Sequence, residues 1–452
     1  MSMMGRLCLS ALVVAATGLG VESDARAQSG ASPEASILFQ NVRIFDGKGG
    51  PLSAPSNVLV KGNIIEQIST RAITAPAGAT VIAGGGRTLM PGLIDAHWHA
   101  TMVRSTPPQL LSSGVGYNNL LAGAEATATL MRGFTTVRDM GGPAFDLKRS
   151  IDEGLLPGPR VYPSGAVITV TSGHGDFRQA IDLPRTVGTL SRVEQIGGAM
   201  IADSPDEVRM RVREQLMQGA SQIKLTAGGG VASPFSPLDA STFTEAELRA
   251  AVEAAENWGT YVATHAYTTV SIQRSIAAGV KVIEHGHLMD EETARLMAEK
   301  GTWLSMQPFV DLAGAAALPP QNQARMRQVI AGTDRVYALV KKYKIKTAWG
   351  TDVLFSRALA ERQGQDLVNM TRWFTPAETL VMAMSTNAEL LNLTGLRNPY
   401  PGKLGVVEQG ALADLLLVDG NPLDNIQLIA DPAKNFVVIM KDGKIYKNTL
   451  PN

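Results

Sequence analysis

The sequence contains a single cysteine, Cys8, so no disulfide can form within the chain and no cysteine cluster can hold zinc. It carries no excess charge. The 41 lysines and arginines balance the 41 aspartates and glutamates. There is no basic run and no interleaving of aromatic with basic residues, so nothing supplies an electrostatic footprint for nucleic acid. Aromatics make up 5% of the residues, and histidine is scarce, at six in 452. No apolar run reaches the roughly 20 residues that a membrane-spanning helix requires. What is present, 45% apolar and 18% charged residues, can bury a large core. The length suits a large barrel with an appendage, or two to three domains.

The first residues read "MSMMGRLCLSALVVAATGLGVESDARAQSG". A basic start at Arg6, a mostly apolar stretch from Leu7 to Leu19 and the small-x-small triplet Ala25-Arg26-Ala27 form the pattern of an export signal. A buried N-terminal helix or a membrane anchor is the alternative, and the apolar stretch is short for the latter. The expectation is cleavage near Ala27, before Gln28, with residues 1–27 removed. Cys8 would leave with them, and a thiol-free protein suits a periplasm or the extracellular space.

After a spacer, residues 36–87 alternate β-rich runs such as "ILFQNVRIF" and "NVLVKGNIIEQIS" with glycine-rich turns. Residues 396–452 have the same texture in "ALADLLLVDGNPL" and "NFVVIMKDGKIYKN". Two β-rich ends around a long middle predict one small sheet domain, a β-sandwich, assembled from both termini. In the middle, residues 88–395, apolar strands alternate with amphipathic helical stretches. Thr244 and Glu247 form a capping box at the head of one of these helices. The strands are the opening run, "TTVRDM", "RVYPSGAVI", "QIKLTAGG", "YVATHAY", "KVIEHGH", "TWLSMQP" and "KTAWGTD". Eight strand-helix units make the arithmetic of a (β/α)8 barrel, although a doubly wound sheet alternates similarly. A long segment, about residues 169–205, reads as irregular and, with "TSGHGD" inside it, as functional.

The polar residues of the middle fall at strand ends, where a (β/α)8 barrel does its chemistry. "TLMPGLIDAHWHA" closes the first strand with His97 and His99. Two residues apart on a strand, they point to one face and can reach one point in space. A lone His-x-His is more often a pair of core or surface histidines. Lys224 lies in "QIKLTAGGG", and a strand lysine usually snorkels or pairs with a carboxylate. Burial would disfavour its ammonium, and the resulting neutral amine could take up carbon dioxide as a carbamate able to bridge two metals. His265 in "VATHAY", His285 and His287 in "VIEHGH" and Asp352 in "TAWGTD" end later strands. Each has a bland reading of its own: a hydrogen-bonded core histidine, or a helix N-cap for Asp352. His174, in "SGHGD", has loop structure as its bland reading, at comparable weight. All six histidines nevertheless sit at a strand end or in the suspect loop, which random placement would not produce.

The ordered set "PGLIDAHWH", strand lysine, "THAY", "IEHG" and "GTD" resembles the metal-dependent amidohydrolase superfamily over nearly the whole chain beyond the signal. Within it the chain looks like the binuclear branch with a carboxylated lysine. "IKLTAGGGVAS", "SGHGD" and "HAYTT" are most similar to the group of ochratoxin-hydrolysing amidases, Xaa-Pro and related dipeptidases and imidazolonepropionase-like proteins. The resemblance implies two divalent metal ions, zinc first among the candidates. It implies that His97 and His99 hold the first metal, His265 and His285 the second, and Lys224, as N6-carboxylysine, bridges both. Asp352 returns to the first metal and shuttles the proton, making Asp352 and Lys224 the catalytic residues. His174 and Tyr267 are implied substrate contacts; His287, an extra histidine beyond the family's usual ligand, either faces the substrate too or stands behind the ligands.

The implied reaction cleaves the amide between an acyl group and a C-terminal amino acid, as in ochratoxin A, N-acyl amino acids or dipeptides. A dipeptidase or carboxypeptidase, a cyclic-amide hydrolase and a mononuclear deaminase are the rival enzymes. A non-enzymatic scaffold or a binding protein would not need the lysine and aspartate. The loops after strands one, three and seven, with "MVRSTPPQLL" and "FVDLAGAAALPP", are expected to shape an apolar acyl pocket. The expected partner is a small amide substrate. Relatives of this kind form homo-oligomers, octamers among them, and the same is expected here.

Overall fold

The structure, a computed structural model, describes residues 35–184, 188–316 and 318–451. The expected export signal, with Cys8, lies outside these residues. No described helix is long and apolar enough to cross a membrane.

Eighteen strands are described: β1 Ser36–Ile44, β2 Ser56–Lys61, β3 Ile64–Ser69, β4 Thr80–Ala83, β5 Thr88–Pro91, β6 Leu93–Trp98, β7 Phe134–Asp139, β8 Arg160–Pro163, β9 Val167–Thr169, β10 Ala199–Ile201, β11 Ile223–Thr226, β12 Val262–Thr268, β13 Val282–Leu288, β14 Trp303–Met306, β15 Thr347–Trp349, β16 Leu415–Val418, β17 Phe436–Lys441 and β18 Lys444–Asn448.

Both ends of this chain build one sheet, in the order β18-β17-β16-β5-β1-β2-β3 with β4 beside β1. A bulge between Phe39 and Val42, with Asn41 at φ 52°, divides β1 into two halves. The first half pairs with β2 and β4, the second with β5. The sheet thereby turns back on a core that includes Phe39, Val58, Leu417 and Val438, the arrangement of a small sandwich.

The apolar run that opens the middle region is shared between the two parts. Thr88–Pro91 pairs antiparallel with β16 in the end sheet, so the barrel begins at Leu93 rather than at residue 88. The break falls at Gly92, where an added Cβ would lie 2.1 Å from Thr135 Oγ1; only glycine allows the two layers to approach so closely.

The barrel strands run parallel from β6 through β7 and β8 and from β9 through β11, β12, β13 and β14 to β15. β8 and β9 act as one strand interrupted at Gly165 (φ 74°), with Ser221 N donating to Pro163 O across the break at 2.8 Å. Asn387 closes the ring: its side chain donates to Ile94 O and Trp349 O at 2.8 Å each and accepts from Trp349 N, tying β15 to β6. The result is a (β/α)8 barrel in which strand residues such as Leu225, Ile283 and Leu304 share one buried core with helix residues such as Leu248, Ile272 and Met297.

The segment expected to be irregular carries short elements of its own. Ala180–Asp182 and Arg192–Gln195 are single helical turns, and β10 pairs parallel with β9, so the excursion returns to the sheet.

Candidate metal centre

His97 is the penultimate residue of β6 and His99 lies one residue past its end; His265, His285 and Lys224 project from β12, β13 and β11. All five are buried, and Asp352, just past β15, is half-buried. Backbone contacts between distant segments hold them together. Asp352 N donates to His97 O at 2.8 Å. Asp95 accepts from His97 N at 3.0 Å, from Thr351 Oγ1 at 2.7 Å and from Gln363 Nε2 at 2.9 Å, clamping β6 to the "GTD" turn. Gly350 packs so tightly on His97 that an added Cβ would lie 2.4 Å from its backbone nitrogen. Two candidate ligands have left-handed backbones, His285 at φ 79° and Asp352 at φ 54°. Such strain persists only where the surroundings impose it, and it clusters at functional sites.

Each of the four imidazoles has one ring nitrogen engaged by a protein acceptor. His97 Nδ1 donates to Glu284 Oε2 at 2.7 Å and His99 Nδ1 to Gly141 O at 3.1 Å. His265 Nε2 donates to Gly229 O at 2.9 Å and His285 Nδ1 to Gln307 Oε1 at 2.7 Å. The opposite nitrogen of each ring is left with its lone pair, the form a metal ligand requires. Burial, aided by neighbouring positive groups, holds His97, His265 and His285 well below the usual histidine range, so they are neutral.

The lone pairs converge on a carboxylate. His97 Nε2 lies 3.3 Å from Asp352 Oδ1, with no hydrogen to share between that neutral imidazole and the anion, and His99 Nε2 lies 3.1 Å from the same oxygen. A cation between them resolves that conflict, so the donor set fits a metal. His97, His285 and Asp352 bring ligand atoms within 4.8 Å of one another. Burial raises the carboxyl of Asp352, but His97, His99 and Lys224 together outweigh it and hold the group below its usual range. Lys224 Nζ lies 3.4 Å from His97 Nε2, and burial pulls its pKa down to about 8.

The remaining predicted residues separate into two groups. His174 lines the cavity over the centre, stacks on His265 at 4.3 Å and accepts from Ser233 Oγ at 3.0 Å. Gly230 admits it, since an added Cβ there would lie 2.1 Å from His174 Nδ1. Tyr267 and His287 do not line that cavity. Tyr267 is a buried wall stacked against the His285 ring at 4.9 Å. His287, fully buried, donates from Nε2 to Gln307 O at 3.1 Å and stacks on Phe309 at 5.1 Å. Among the described residues its Nδ1 has no hydrogen-bond partner. β13 turns His287 behind His285, into the packing of the barrel wall, which is the second of the two places expected for it.

Several residues that position the centre were not anticipated. Glu284 joins His97 to Arg138, whose guanidinium also donates to Ala96 O at 2.6 Å and Tyr261 Oη at 3.1 Å. Asp139 accepts from Ala100 N at 2.7 Å and Gly141 N at 3.3 Å, placing the carbonyl that orients His99. Gln307 lies just past β14, the strand "TWLSMQP", from which no site residue was expected. The only available signal was charged or amide groups inside apolar strands, "TTVRDM" and "VIEHGH".

The cavity above the centre encloses about 590 Å³. Met102 and Leu110 from the first loop, Val167 and Phe177 from the third, and Leu354 and Phe355 from the eighth form its apolar wall. Loop seven borders the centre from the other side of Asp352, where Phe309 and Val310 line a second cavity that Asp352 also lines. Loop eight joins the wall, unanticipated, because Phe355 N donates to Met102 O at 3.1 Å, drawing that loop over the centre.

Comparison with known proteins agrees with this geometry. The model of the amidohydrolase family matches residues 88–447. Ochratoxinase of Aspergillus niger is 30% identical over 379 residues, 79% of this chain and 75% of that protein. The crystal structure of a prolidase complexed with N-methylphosphonate-L-proline superposes with a TM-score of 0.84 at 32% identity, covering 92% of this chain and all of the other. A Xaa-Pro dipeptidase with bound methionine gives a TM-score of 0.78 at 28% identity, with coverage of 92% and 100%. The chain belongs to the amidohydrolase family of metal-dependent enzymes and is a hydrolase acting on amide or peptide bonds.

Proposed function

We propose that the protein is a binuclear-metal amidase that cleaves the bond between an acyl group and a C-terminal L-amino acid, ochratoxin A (releasing phenylalanine) and N-acyl amino acids being its substrate class. The observation that carries this reading is the set of four oriented imidazoles around Lys224 and Asp352 at the floor of an apolar cavity. His97, His99 and Asp352 would hold one ion and His265 and His285 the other, with Lys224 as a carbamate between them. Zinc is the ion proposed, from the imidazole-rich donor set. Bound metals supply Lewis-acid activation of water and stabilise developing oxyanion charge.

The chain itself performs the proton transfer. Asp352, kept ionised by its neighbours, takes a proton from the attacking water as its oxygen bonds to the acyl carbon. It returns that proton to the nitrogen as the carbon–nitrogen bond breaks, releasing a carboxylic acid and an amine. Met102, Leu110, Phe177, Leu354 and Phe355 hold the acyl group and exclude water from it. His174, with Ser233 on its Nδ1, is placed to contact the substrate beside the scissile bond.

A dipeptidase is the second reading, favoured by the likeness to the prolidase and the Xaa-Pro dipeptidase. The deciding experiment counts metal per chain and assays ochratoxin A beside N-acyl amino acids and dipeptides ending in Phe, Leu, Pro, Lys or Arg. Two ions with chelator-sensitive cleavage support the amidase, and the best substrate separates it from the dipeptidase. One ion with no amide cleaved would favour a deaminase of the same superfamily. Export after cleavage near Ala27 and assembly into a homo-oligomer belong to the same proposal, supported by the N-terminal pattern and by the resemblance.

A further inference from the structure

Gln307 stands where two candidate ligand rings meet. It is fully buried, its Oε1 accepts from His285 Nδ1 at 2.7 Å, and its Nε2 lies 3.5 Å from His97 Nδ1. Those two rings ask different things of one amide. His97 already gives its Nδ1 hydrogen to Glu284 at 2.7 Å, so it needs nothing further and cannot accept from the amide nitrogen. Among the described residues His285 Nδ1 has no other acceptor. With the amide oxygen toward it, His285 carries its hydrogen on Nδ1 and keeps a lone pair on Nε2. With the amide reversed, the NH2 group would force the hydrogen onto Nε2, and the ring would cease to be a ligand.

The amide is held by the strand that it serves. β13 grips Gln307 twice, through the side chain by His285 and through the main-chain carbonyl by His287 Nε2 at 3.1 Å. The His287 ring is fixed in turn by stacking on Phe309 at 5.1 Å. The helix Pro320–Tyr343 presses on its backbone at Gly332, where an added Cβ would lie 2.0 Å from His287 O.

We propose that Gln307 is the positioning residue that sets the tautomer of His285, and that the additional histidine, His287, braces it. This gives a role to the histidine that the ligand set leaves over and to the end of β14, a barrel strand that carries no ligand. The inference rests on His285 being a metal ligand and not on the identity of the substrate.

The test follows zinc leaving the zinc-loaded enzyme into excess chelator, with metal per chain counted beforehand. Gln307→Leu keeps the bulk and removes the acceptor. It should lose one of two ions at least about tenfold faster than the wild type, the lower end of what outer-shell partners contribute to metal affinity. Gln307→Glu restores an acceptor and should return release to near the wild-type rate, a rescue that a mere packing role would not give. His287→Phe keeps the stack on Phe309 and removes the bond to the Gln307 carbonyl; it should accelerate release less than Gln307→Leu does.

Wild-type release from Gln307→Leu, or equal loss from Gln307→Leu and Gln307→Glu, overturns the proposal. If Gln307→Leu does not fold, wild-type release from His287→Phe overturns it. A wild-type enzyme that holds two zincs yet cleaves no amide would sink the functional reading and leave this inference standing. A wild-type enzyme that holds none would sink both.

Discussion

Glu284 Oε2 accepts the Nδ1 hydrogen of His97 at 2.7 Å while its other oxygen accepts from Arg138 at 2.7 Å, and all three side chains are buried. The carboxylate thus orients a candidate ligand and neutralises a guanidinium that has no access to water. Glu284→Gln leaves Arg138 as an uncompensated buried charge, a change that costs about 3–5 kcal/mol where it has been measured in other proteins. Urea unfolding of the metal-free variant should register a loss of that order, and its zinc content should fall. An unchanged midpoint would mean that Arg138 finds its compensation elsewhere.

Asp352→Asn keeps the shape of the centre and removes the proton carrier. Its turnover should drop by roughly 10²–10⁴-fold, the usual contribution of a general base, with the far-ultraviolet dichroism unchanged. Turnover at the wild-type rate would remove Asp352 from the proton path.

Lys224→Ala should be nearly inactive, and a short-chain carboxylic acid added to the assay should restore part of its activity by replacing the missing anion. Failure of rescue across formate, acetate and propionate would argue against a bridging carbamate.

The lowered pKa of Lys224, about 8, gives carbamate formation a pH dependence in the metal-free protein. Carbon dioxide reacts with the neutral amine, which is the minor form below the pKa and the major form above it. Carbamate should therefore increase as pH rises through about 8, well before exposed lysines respond near 10.4. A carbon-13 carbamate signal from labelled bicarbonate, absent in Lys224→Ala, measures it.

Phe355 sits on the cavity wall with φ 57°, an uncommon backbone for so bulky a residue, and packs edge-on to Phe177 at 6.1 Å. Phe355→Ala should weaken kcat/KM for substrates with a large apolar acyl group by roughly tenfold, in the range that pocket contacts supply, while small acyl groups change little. Equal losses on both classes would place the effect in the loop backbone and not in the ring.

The residues that could be found before folding were those whose type is itself the signal. Five of the six scarce histidines, a lysine inside an apolar strand and an aspartate after a tryptophan-glycine-threonine turn fall at strand ends because strand period and barrel arithmetic place them there. Glu284 escaped because simple alternation along β13 sets it on the face opposite His285, whereas the positive φ values of His285 and Gly286 swing the end of that strand. Gln307 escaped because nothing distinguishes its amide from a solvated one until β14 is laid beside β13. For His287 the chain left two places open, facing the substrate or behind the ligands, and only the packing of β13 against β14 chose the second.

By itself the amino-acid order determined the alternation that makes a barrel, the two β-rich ends that share a sheet, and the succession of candidate ligands along the strands. Those are local properties, set by side-chain period and turn chemistry. Only the tertiary structure decided which nitrogen of each histidine is free, which loops wall the cavity, and where the barrel gives way to the end sheet. Each of those depends on groups far apart in the chain: His97 and Glu284 are 187 positions apart, and His97 and Gln307 are 210 apart. A hydrogen bond at 2.7 Å between such groups exists only after the whole ring of strands has closed.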